Sequence, residues 1–174
     1  MSSHPEKNEG IVVDVDDARM EITIDRPEVL NALDPPAHQA LSDALDRFAA
    51  DDDLRVAIIT GAGRRSFCVG SDLKARLASN RDLHPKTGFA GFTHRFDLAK
   101  PVISAVNGFA IGGGLEIVLA SDIALAADHV YFQLPETKVG LAAIGGGGLP
   151  ARYPSSMPWT SFSPDAGSMP RKPG

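Results

Sequence analysis

The chain has 174 residues, of which 43% are hydrophobic and 22% are charged, and its formal net charge is -5 at pH 7. These values fit a single globular domain, and the lack of a dense basic stripe disfavours nucleic-acid binding. The single cysteine, Cys68, excludes an intramolecular disulfide framework and fits a reducing compartment. The start, MSSHPEKNEG, lacks the apolar core of a signal peptide, and no run of roughly eighteen apolar residues occurs. We therefore expect a soluble, cytoplasmic, one-domain chain.

The first predicted elements are two strands and a helix. Residues 11–15 and 20–25 are rich in β-branched side chains, and residues 16–19, DDAR, separate them as a hairpin turn. After Pro27 the apolar positions recur at three and four, which predicts a helix. The apolar face of this helix comprises Ala37, Ala40, Leu41, Ala44, Leu45 and Phe48.

Further strands and a second helix follow along the chain. The predicted strands cover residues 54–60, 102–106, 123–127 and 130–132. Residues 111–122 predict a helix, and strands that alternate with helices indicate an α/β architecture with largely buried strands. Residues 74–98 carry charges, a proline and scattered aromatic side chains, and we interpret them as a mobile segment over a site.

The helix at residues 111–122 begins with Gly112, Gly113 and Gly114, although each glycine costs a helix roughly 1 kcal/mol relative to alanine. A helix N-terminus has unpaired N–H groups and partial positive charge, and glycines let a ligand approach that backbone. An oxygen that becomes negative during a reaction would be stabilised there, as in an oxyanion hole. Because glycines before a helix are more often packing or turn residues, this stretch alone leaves both interpretations open.

Two acidic residues accompany the glycines. Glu116 lies three residues after Gly113 and shares its face of the first helical turn. Glu136 follows Pro135 just after the last predicted strand. Two carboxylates beside an oxyanion hole suit proton transfer at carbons next to a carbonyl. A glutamate early in a helix is also often present only for its favourable interaction with the helix dipole.

Other kinds of site are disfavoured by their motifs. A dinucleotide motif, G-x-G-x-x-G, would have to start at Gly61, but Ser66 stands in place of its third glycine, and no G-K-[ST] P-loop occurs. The histidines show no metal-ligand spacing, so no metal site is expected. We expect surface or loop positions for His4, His38, His84, His94 and His129. Cys68 is interpreted as a small buried residue and not as a nucleophile.

Four sequence blocks occur in a characteristic order. They are RPEVLNAL (26–33), ITGAGRRSFCVGSDL (59–73), KPVISAVNGFAIGGGLEIVLASDIALAA (100–127) and FQLPETKVGL (132–141). With these blocks the chain resembles the crotonase superfamily, the enoyl-CoA hydratases and isomerases, from residue 11 to about residue 149. The resemblance implies an α/β fold of the crotonase type, a spiral of ββα units, here without the helical carboxyl-terminal part of the family.

The resemblance also implies the roles of individual residues. The family's two oxyanion donors are backbone N–H groups, which fall here on Ser71 and Gly113. Its hydratases carry two catalytic glutamates twenty residues apart, a spacing that Glu116 and Glu136 reproduce (136 − 116 = 20). Contacts with a coenzyme A thioester are implied for Ser71, Asp72, Leu73, Lys74, Gly112 and Gly113.

These roles imply an enoyl-CoA hydratase, which adds water reversibly to a 2-enoyl-CoA thioester through an enolate held in the oxyanion hole. Glu116 and Glu136 would hold the water, and because nearby acids titrate as a pair, neither is assigned as acid or base. An enoyl-CoA isomerase and a carnitinyl-CoA-type dehydratase are alternatives.

No cofactor is expected, because coenzyme A is part of the substrate. The family also implies fatty-acid β-oxidation as the setting and a homotrimer or a dimer of trimers.

Two positions depart from the family's pattern. Ser71 stands where many relatives have alanine, which keeps the backbone donor but adds a hydroxyl to the pocket. Glu28 stands where several relatives have a lysine near the phosphates of coenzyme A, which puts nucleotide affinity in doubt. Residues 74–98 vary in length among branches and shape the acyl pocket, so the acyl group stays open.

From Ala151 the sequence is rich in proline and has no helical or strand period, so we divide the chain into a catalytic core, 1–150, and an irregular tail, 151–174. Family members continue instead with helices that cover the acyl site and form trimer contacts. The codons for residues 157–160, regrouped one base earlier, can encode H-A-M-D, which resembles that continuation. We therefore expect a single-base frameshift near Pro150.

The alternative function is an inactive remnant or a weak acyl-CoA binder, because an uncovered apolar face favours aggregation.

Overall fold

The computed structural model describes residues 5–78 and 84–135. The strands are β1 (Glu6–Asn8), β2 (Ile11–Asp16), β3 (Arg19–Ile24), β4 (Val56–Gly61), β5 (Ser66–Cys68), β6 (Val102–Val106), β7 (Phe109–Ile111), β8 (Ile123–Ala126) and β9 (Phe132–Gln133). The helices are α1 (Pro35–Ala50), α2 (Leu73–Ala78) and α3 (Gly113–Ala120), with short 3-10 turns at Pro27–Val29 and Phe89–Gly91.

The strands form two sheets. The larger has the order β1-β2-β3-β4-β6-β8, antiparallel from β1 to β3 and parallel from β3 to β8. The smaller has the order β5-β7-β9 and is parallel. In three successive units a strand of the larger sheet, a second strand and a helix follow one another: β2-β3-α1, β4-β5-α2 and β6-β7-α3. This is the α/β spiral of ββα units that the resemblance implies.

The strand β3 and the helix α1 illustrate how the sequence forms the core. Met20, Ile22 and Ile24 alternate with polar residues and have no exposed surface. Alternation in a strand places these side chains on one face of the sheet. The helix α1 contacts β3 and buries the apolar face predicted from its period. Its first turn is capped by Asp34, whose Oδ1 accepts the N–H of Ala37 at 3.0 Å.

Most predicted elements are confirmed, with bounds shifted by one or two residues, and the exceptions are short. The strands β1, β5 and β7 have three residues each and show no alternation long enough to predict them. The helix predicted at 111–122 is confirmed but spans only Gly113–Ala120, because the residues before Gly113 belong to β7 and a sharp turn. The short strand expected at 130–132 is β9, shifted towards Gln133.

Residues 74–98, which the sequence analysis interprets as a mobile segment over a site, are described except for 79–83. The segment begins in α2, and its described later part, 84–98, packs against α1. Phe89 and Phe92 are buried there. The Arg95 side chain, only 3% exposed, donates to Asp46 of α1 at 2.6 Å. These contacts hold the later part of the segment in place, which its local sequence did not indicate.

Among residues 5–78 and 84–135, none of the helices has the length and apolar character of a membrane-spanning segment. The proline-rich tail, 151–174, and the end of the proposed core, 136–150, lie outside the described residues. The division of the chain at residue 150 therefore stays a prediction.

Candidate active site

Ser71 lies between β5 and α2, where it pairs with Leu33 as a single parallel bridge. The Leu33 N–H donates to the carbonyl oxygen of Gly70 at 2.9 Å, and the Asp72 N–H donates to that of Leu33 at 2.8 Å. Because N–H groups of successive residues in an extended segment face opposite sides, the Ser71 N–H points away from Leu33. Within the described residues it donates no hydrogen bond.

The position of Leu33 depends on Asn31, a residue that the sequence interpretation did not single out. Asn31 is fully buried, and its Nδ2 donates to the carbonyl oxygens of Ala62 at 3.1 Å and Ser66 at 2.8 Å. Its Oδ1 accepts the N–H of Arg26 at 3.0 Å. The side chain thus ties the loop before α1 to the connection between β4 and β5. The only signal for it was an amide residue between leucine and alanine in RPEVLNAL.

The second predicted donor stands at the start of α3. Gly112 has φ 55° and ψ -125°, a conformation that favours glycine, and its N–H donates to the carbonyl oxygen of Gln133 at 2.8 Å. Gly113 is the first residue of the helix, so its N–H has no acceptor in the preceding turn and donates no hydrogen bond among the described residues. A Cβ on Gly114 would overlap the carbonyl oxygen of Cys68, so that glycine permits close packing of α3 on β5.

The two donor loops lie side by side. The strands β5 and β7, which lead into them, pair in parallel, with Ser66 opposite Phe109 and Cys68 opposite Ala110. A Cβ built on Gly70, the residue before Ser71, would lie 3.3 Å from the Gly113 nitrogen. Two unpaired N–H groups in neighbouring loops can stabilise negative charge on an oxygen between them.

Of the two predicted catalytic glutamates, Glu116 is among the described residues and Glu136 is not. Glu116 lies on the first turn of α3, three residues after Gly113, and only 8% of the residue is exposed. Glu136 lies outside the described residues, and its approach to Glu116 stays a prediction.

The remaining predicted contacts follow Ser71 into α2. Asp72 caps this helix, since its Oδ1 accepts the N–H groups of Lys74 at 3.0 Å and Ala75 at 3.3 Å. Leu73, 53% exposed, and Lys74 stand on the surface at its first turn. A large exposed leucine next to unpaired backbone donors is compatible with a ligand-covered surface, although a single exposed apolar residue is common.

Two of the histidines expected on the surface or in loops form part of an aromatic cluster with Phe89. His38 lies on the buried face of α1 and is 1% exposed, which corrects the prediction for this residue. The ring centroids of His38 lie 4.6 Å from Phe89 and 4.8 Å from His84. Burial, with smaller contributions from the charges of His84 and Arg26, lowers the pKa of His38 to about 3.

Cys68 is completely buried in β5, as predicted. Its Sγ accepts the N–H of Gly70 at 3.4 Å, and burial raises the pKa of the thiol to about 12. The thiol is therefore protonated at neutral pH and is a poor nucleophile. In the part of the chain that the structure describes, no cluster of three histidine, cysteine or acidic side chains could hold a metal ion.

This chain is similar to a known enzyme family and to several curated proteins. Residues 15–155 match the sequence profile of a family described as enoyl-CoA hydratase/isomerase. The chain is 50% identical over 142 residues to the carnitinyl-CoA dehydratase of Salmonella arizonae, an alignment that covers 80% of this chain and 53% of that protein. The carnitinyl-CoA dehydratase of Proteus mirabilis is 46% identical over 142 residues, with coverage of 80% and 53%. The chain thus spans about half the length of these relatives.

Solved structures are similar in fold. An enoyl-CoA hydratase from Mycobacterium tuberculosis has a TM-score of 0.77 and 42% identity, with coverage of 83% of this chain and 57% of that chain. A carnitinyl-CoA hydratase from Mycobacterium avium has a TM-score of 0.75 and 43% identity, with coverage of 81% and 55%. These similarities confirm the predicted fold class.

Proposed function

This chain belongs to the enoyl-CoA hydratase/isomerase family, and we propose that it acts on a 2-enoyl-CoA thioester, adding water reversibly across the double bond. One observation carries the proposal. The N–H groups of Ser71 and Gly113, in two neighbouring loops, have no acceptor among the described residues. Both residues are half-buried, and two N–H groups without a protein acceptor in neighbouring loops fit an external oxygen acceptor.

The thioester carbonyl oxygen is the proposed acceptor. When the water oxygen bonds to Cβ, the electrons of the double bond move toward the carbonyl and the thioester becomes an enolate. The negative charge then rests on an oxygen that accepts from both amides, which favours the enolate over the ground state. These donors are held by main-chain pairing with Leu33 and by the start of α3, so little reorganisation accompanies the reaction.

The proposed acids are Glu116 and Glu136. One carboxylate takes the proton of the attacking water, and the other carboxylic acid delivers a proton to Cα, which completes the addition. The buried position of Glu116, three residues from Gly113, supports a role next to the acyl carbons. In the reverse direction the same two groups remove the Cα proton and protonate the leaving hydroxyl.

A second candidate reaction is dehydration of a carnitinyl-CoA-type substrate. The relatives at 50% and 46% identity are carnitinyl-CoA dehydratases, which favours this reaction. Its bond changes are those of the reverse hydration reaction, so the residue roles stay the same. Isomerisation is less favoured, because both glutamate positions of the hydratases are occupied in this chain.

The proposed function also covers the substrate contacts, the cofactor, the assembly and the location of the protein. Asp72, Leu73 and Lys74, together with Gly112, are proposed to lie along the coenzyme A thioester. No separate cofactor is proposed, because the amides and carboxylates account for every proton and electron pair of the reaction. Assembly as a homotrimer or a dimer of trimers and a cytoplasmic location in fatty-acid β-oxidation are inferred from the family resemblance alone.

The test of the activity is turnover of crotonyl-CoA by the 174-residue chain, followed by the loss of enoyl absorbance. Glu116→Gln and Glu136→Gln should each lower kcat by about 100-fold or more, as expected for loss of a general acid or base. Asp52→Asn, at an exposed position after α1, is the matched control and should keep the parent rate. Binding of crotonyl-CoA without turnover would favour the alternative, a weak acyl-CoA binder.

The oxyanion role is tested separately from the acids. A butyryl-CoA labelled with ¹³C at the thioester carbonyl should bind Glu116→Gln, and its carbonyl signal should move downfield because two N–H groups polarise it. A bound thioester with the chemical shift of the free compound would refute the oxyanion hole.

A further inference from the structure

The aromatic cluster of His38, His84 and Phe89 touches both proposed donor loops. His84 Nε2 lies 3.3 Å from Ser71 Oγ, within hydrogen-bond distance. Phe89 occupies the space where a side chain on Gly113 would stand, since a Cβ built there would overlap its ring. His84 and Phe89 are themselves in contact, with ring centroids 5.5 Å apart. The cluster therefore forms a wall beside the position proposed for the thioester oxygen.

The wall has an apolar part and a polar part. Phe89 supplies an apolar surface next to Gly113, whereas Ser71 Oγ and the His84 imidazole form a polar pair next to the other donor. A serine Oγ lies only about 3 Å from the nitrogen of its own residue. A thioester oxygen bound to the Ser71 N–H would therefore place the first carbons of its acyl group near the polar pair.

Contacts with His38 hold the His84 ring in position. The His38 ring packs edge to face on both His84 and Phe89, and its Nδ1 accepts the N–H of Ala90 at 3.0 Å. Since Nδ1 is an acceptor, the neutral ring carries its proton on Nε2. A neutral, buried imidazole packs against the cluster without adding a charge, so His84 has a defined place beside Ser71.

We propose that His84 is a specificity-determining residue that, together with the Ser71 hydroxyl, hydrogen-bonds an oxygen substituent on the acyl chain. This inference rests on the proposed function. A plain hydrocarbon chain would displace water from the Ser71–His84 pair without forming a hydrogen bond in its place. A hydroxyl group on the acyl chain can donate to or accept from either side chain. The site therefore prefers a hydroxylated acyl thioester to the unsubstituted one.

The test compares crotonyl-CoA with 4-hydroxycrotonyl-CoA on the 174-residue chain. The ratio of their kcat/KM values should favour the hydroxylated thioester by about 10-fold or more, in line with discrimination by buried hydrogen-bonding groups. His84→Phe keeps a ring in the cluster but removes its hydrogen bonds, and the ratio should fall at least about 10-fold. His94→Phe, at an exposed loop position, is the matched control and should leave the ratio unchanged. An unchanged ratio in His84→Phe overturns the inference.

A binding measurement tests the specificity role of His84 independently of catalysis. Butyryl-CoA and 4-hydroxybutyryl-CoA are titrated into ¹⁵N-histidine-labelled chain, with the His84 signals assigned from His84→Phe. We expect the hydroxylated thioester to bind more tightly and to shift Nε2 of His84 further than butyryl-CoA does. Equal affinities and equal shifts overturn the specificity role while leaving the proposed function in place. Binding of neither thioester overturns both.

Discussion

Leu33 and Ser71 pair through a single parallel bridge, and this pairing turns the Ser71 N–H away from Leu33. The bridge consists only of main-chain hydrogen bonds, so no side chain of the predicted site creates it. Leu33 lies in the loop before α1, and the buried amide of Asn31 joins that loop to the carbonyl oxygens of Ala62 and Ser66.

Asn31→Ala should therefore weaken both the fold and the site. The substitution removes three hydrogen bonds and leaves buried carbonyl groups unpaired, which should lower the free energy of unfolding by about 2–4 kcal/mol. Urea unfolding measures the change, and Asn8→Ala on the exposed strand β1 serves as the control. Should Asn31→Ala be as stable as the control, the loop is held by other contacts.

Gly114 is expected to be required for space and not for its backbone angles. In Gly114→Ala the methyl group would overlap the carbonyl oxygen of Cys68, a backbone atom that cannot rotate away. We expect a loss of more than about 3 kcal/mol in the free energy of unfolding, because α3 must move away from β5. Gly63→Ala is the matched variant: Gly63 has φ +80° but no atoms within 4 Å of its Cβ position, so only about 1–2 kcal/mol is expected. Equal losses in the two variants would contradict the packing role.

His38 should make the fold sensitive to acid. Its pKa is lowered from 6.5 to about 3, chiefly by burial, so below pH 6.5 the unfolded chain takes up a proton that the folded chain does not. Stability is therefore unaffected above pH 6.5 and decreases as the pH falls towards 3, by about 2 kcal/mol at pH 5 from this residue.

His38→Gln tests the assignment, because glutamine does not titrate. Urea unfolding at pH 7 and pH 5 should show a smaller loss of stability in His38→Gln than in the parent chain. His94→Gln, which removes an exposed histidine, should lose as much as the parent. An identical pH dependence in parent and His38→Gln would mean that His38 is protonated in the folded state.

Glu28 is expected to weaken the binding of coenzyme A. It is exposed on the 3-10 turn Pro27–Val29. The family resemblance implies a lysine at this position, near the phosphates of coenzyme A. Glu28→Lys should therefore lower the Kd of free coenzyme A several-fold, and by less at about 1 M salt, where such attraction is screened. Calorimetric titration measures the effect, and Asp52→Lys supplies the same charge change elsewhere on the surface. Equal tightening by both variants would indicate only a net-charge effect.

The sequence by itself was enough to predict the longer strands and the helices α1 and α3. The alternation of Met20, Ile22 and Ile24 and the helical period of the Leu41 face are local patterns, since each follows from the geometry of one element. The glycines at 112–114 and the early acid Glu116 likewise predicted the start of a helix, with an oxygen-ligand site as one of two interpretations.

Only the tertiary structure decided which atoms meet. The strands β5 and β7 are too short to show a period, and they exist because they pair with each other, yet this pairing brings the Ser71 and Gly113 loops together. The direction of the Ser71 N–H depends on Leu33, thirty-eight residues earlier (71 − 33 = 38). The wall beside Ser71 depends on the rings of His38 in α1, His84 and Phe89. Such contacts join residues distant in the chain, so no local period of side chains can record them.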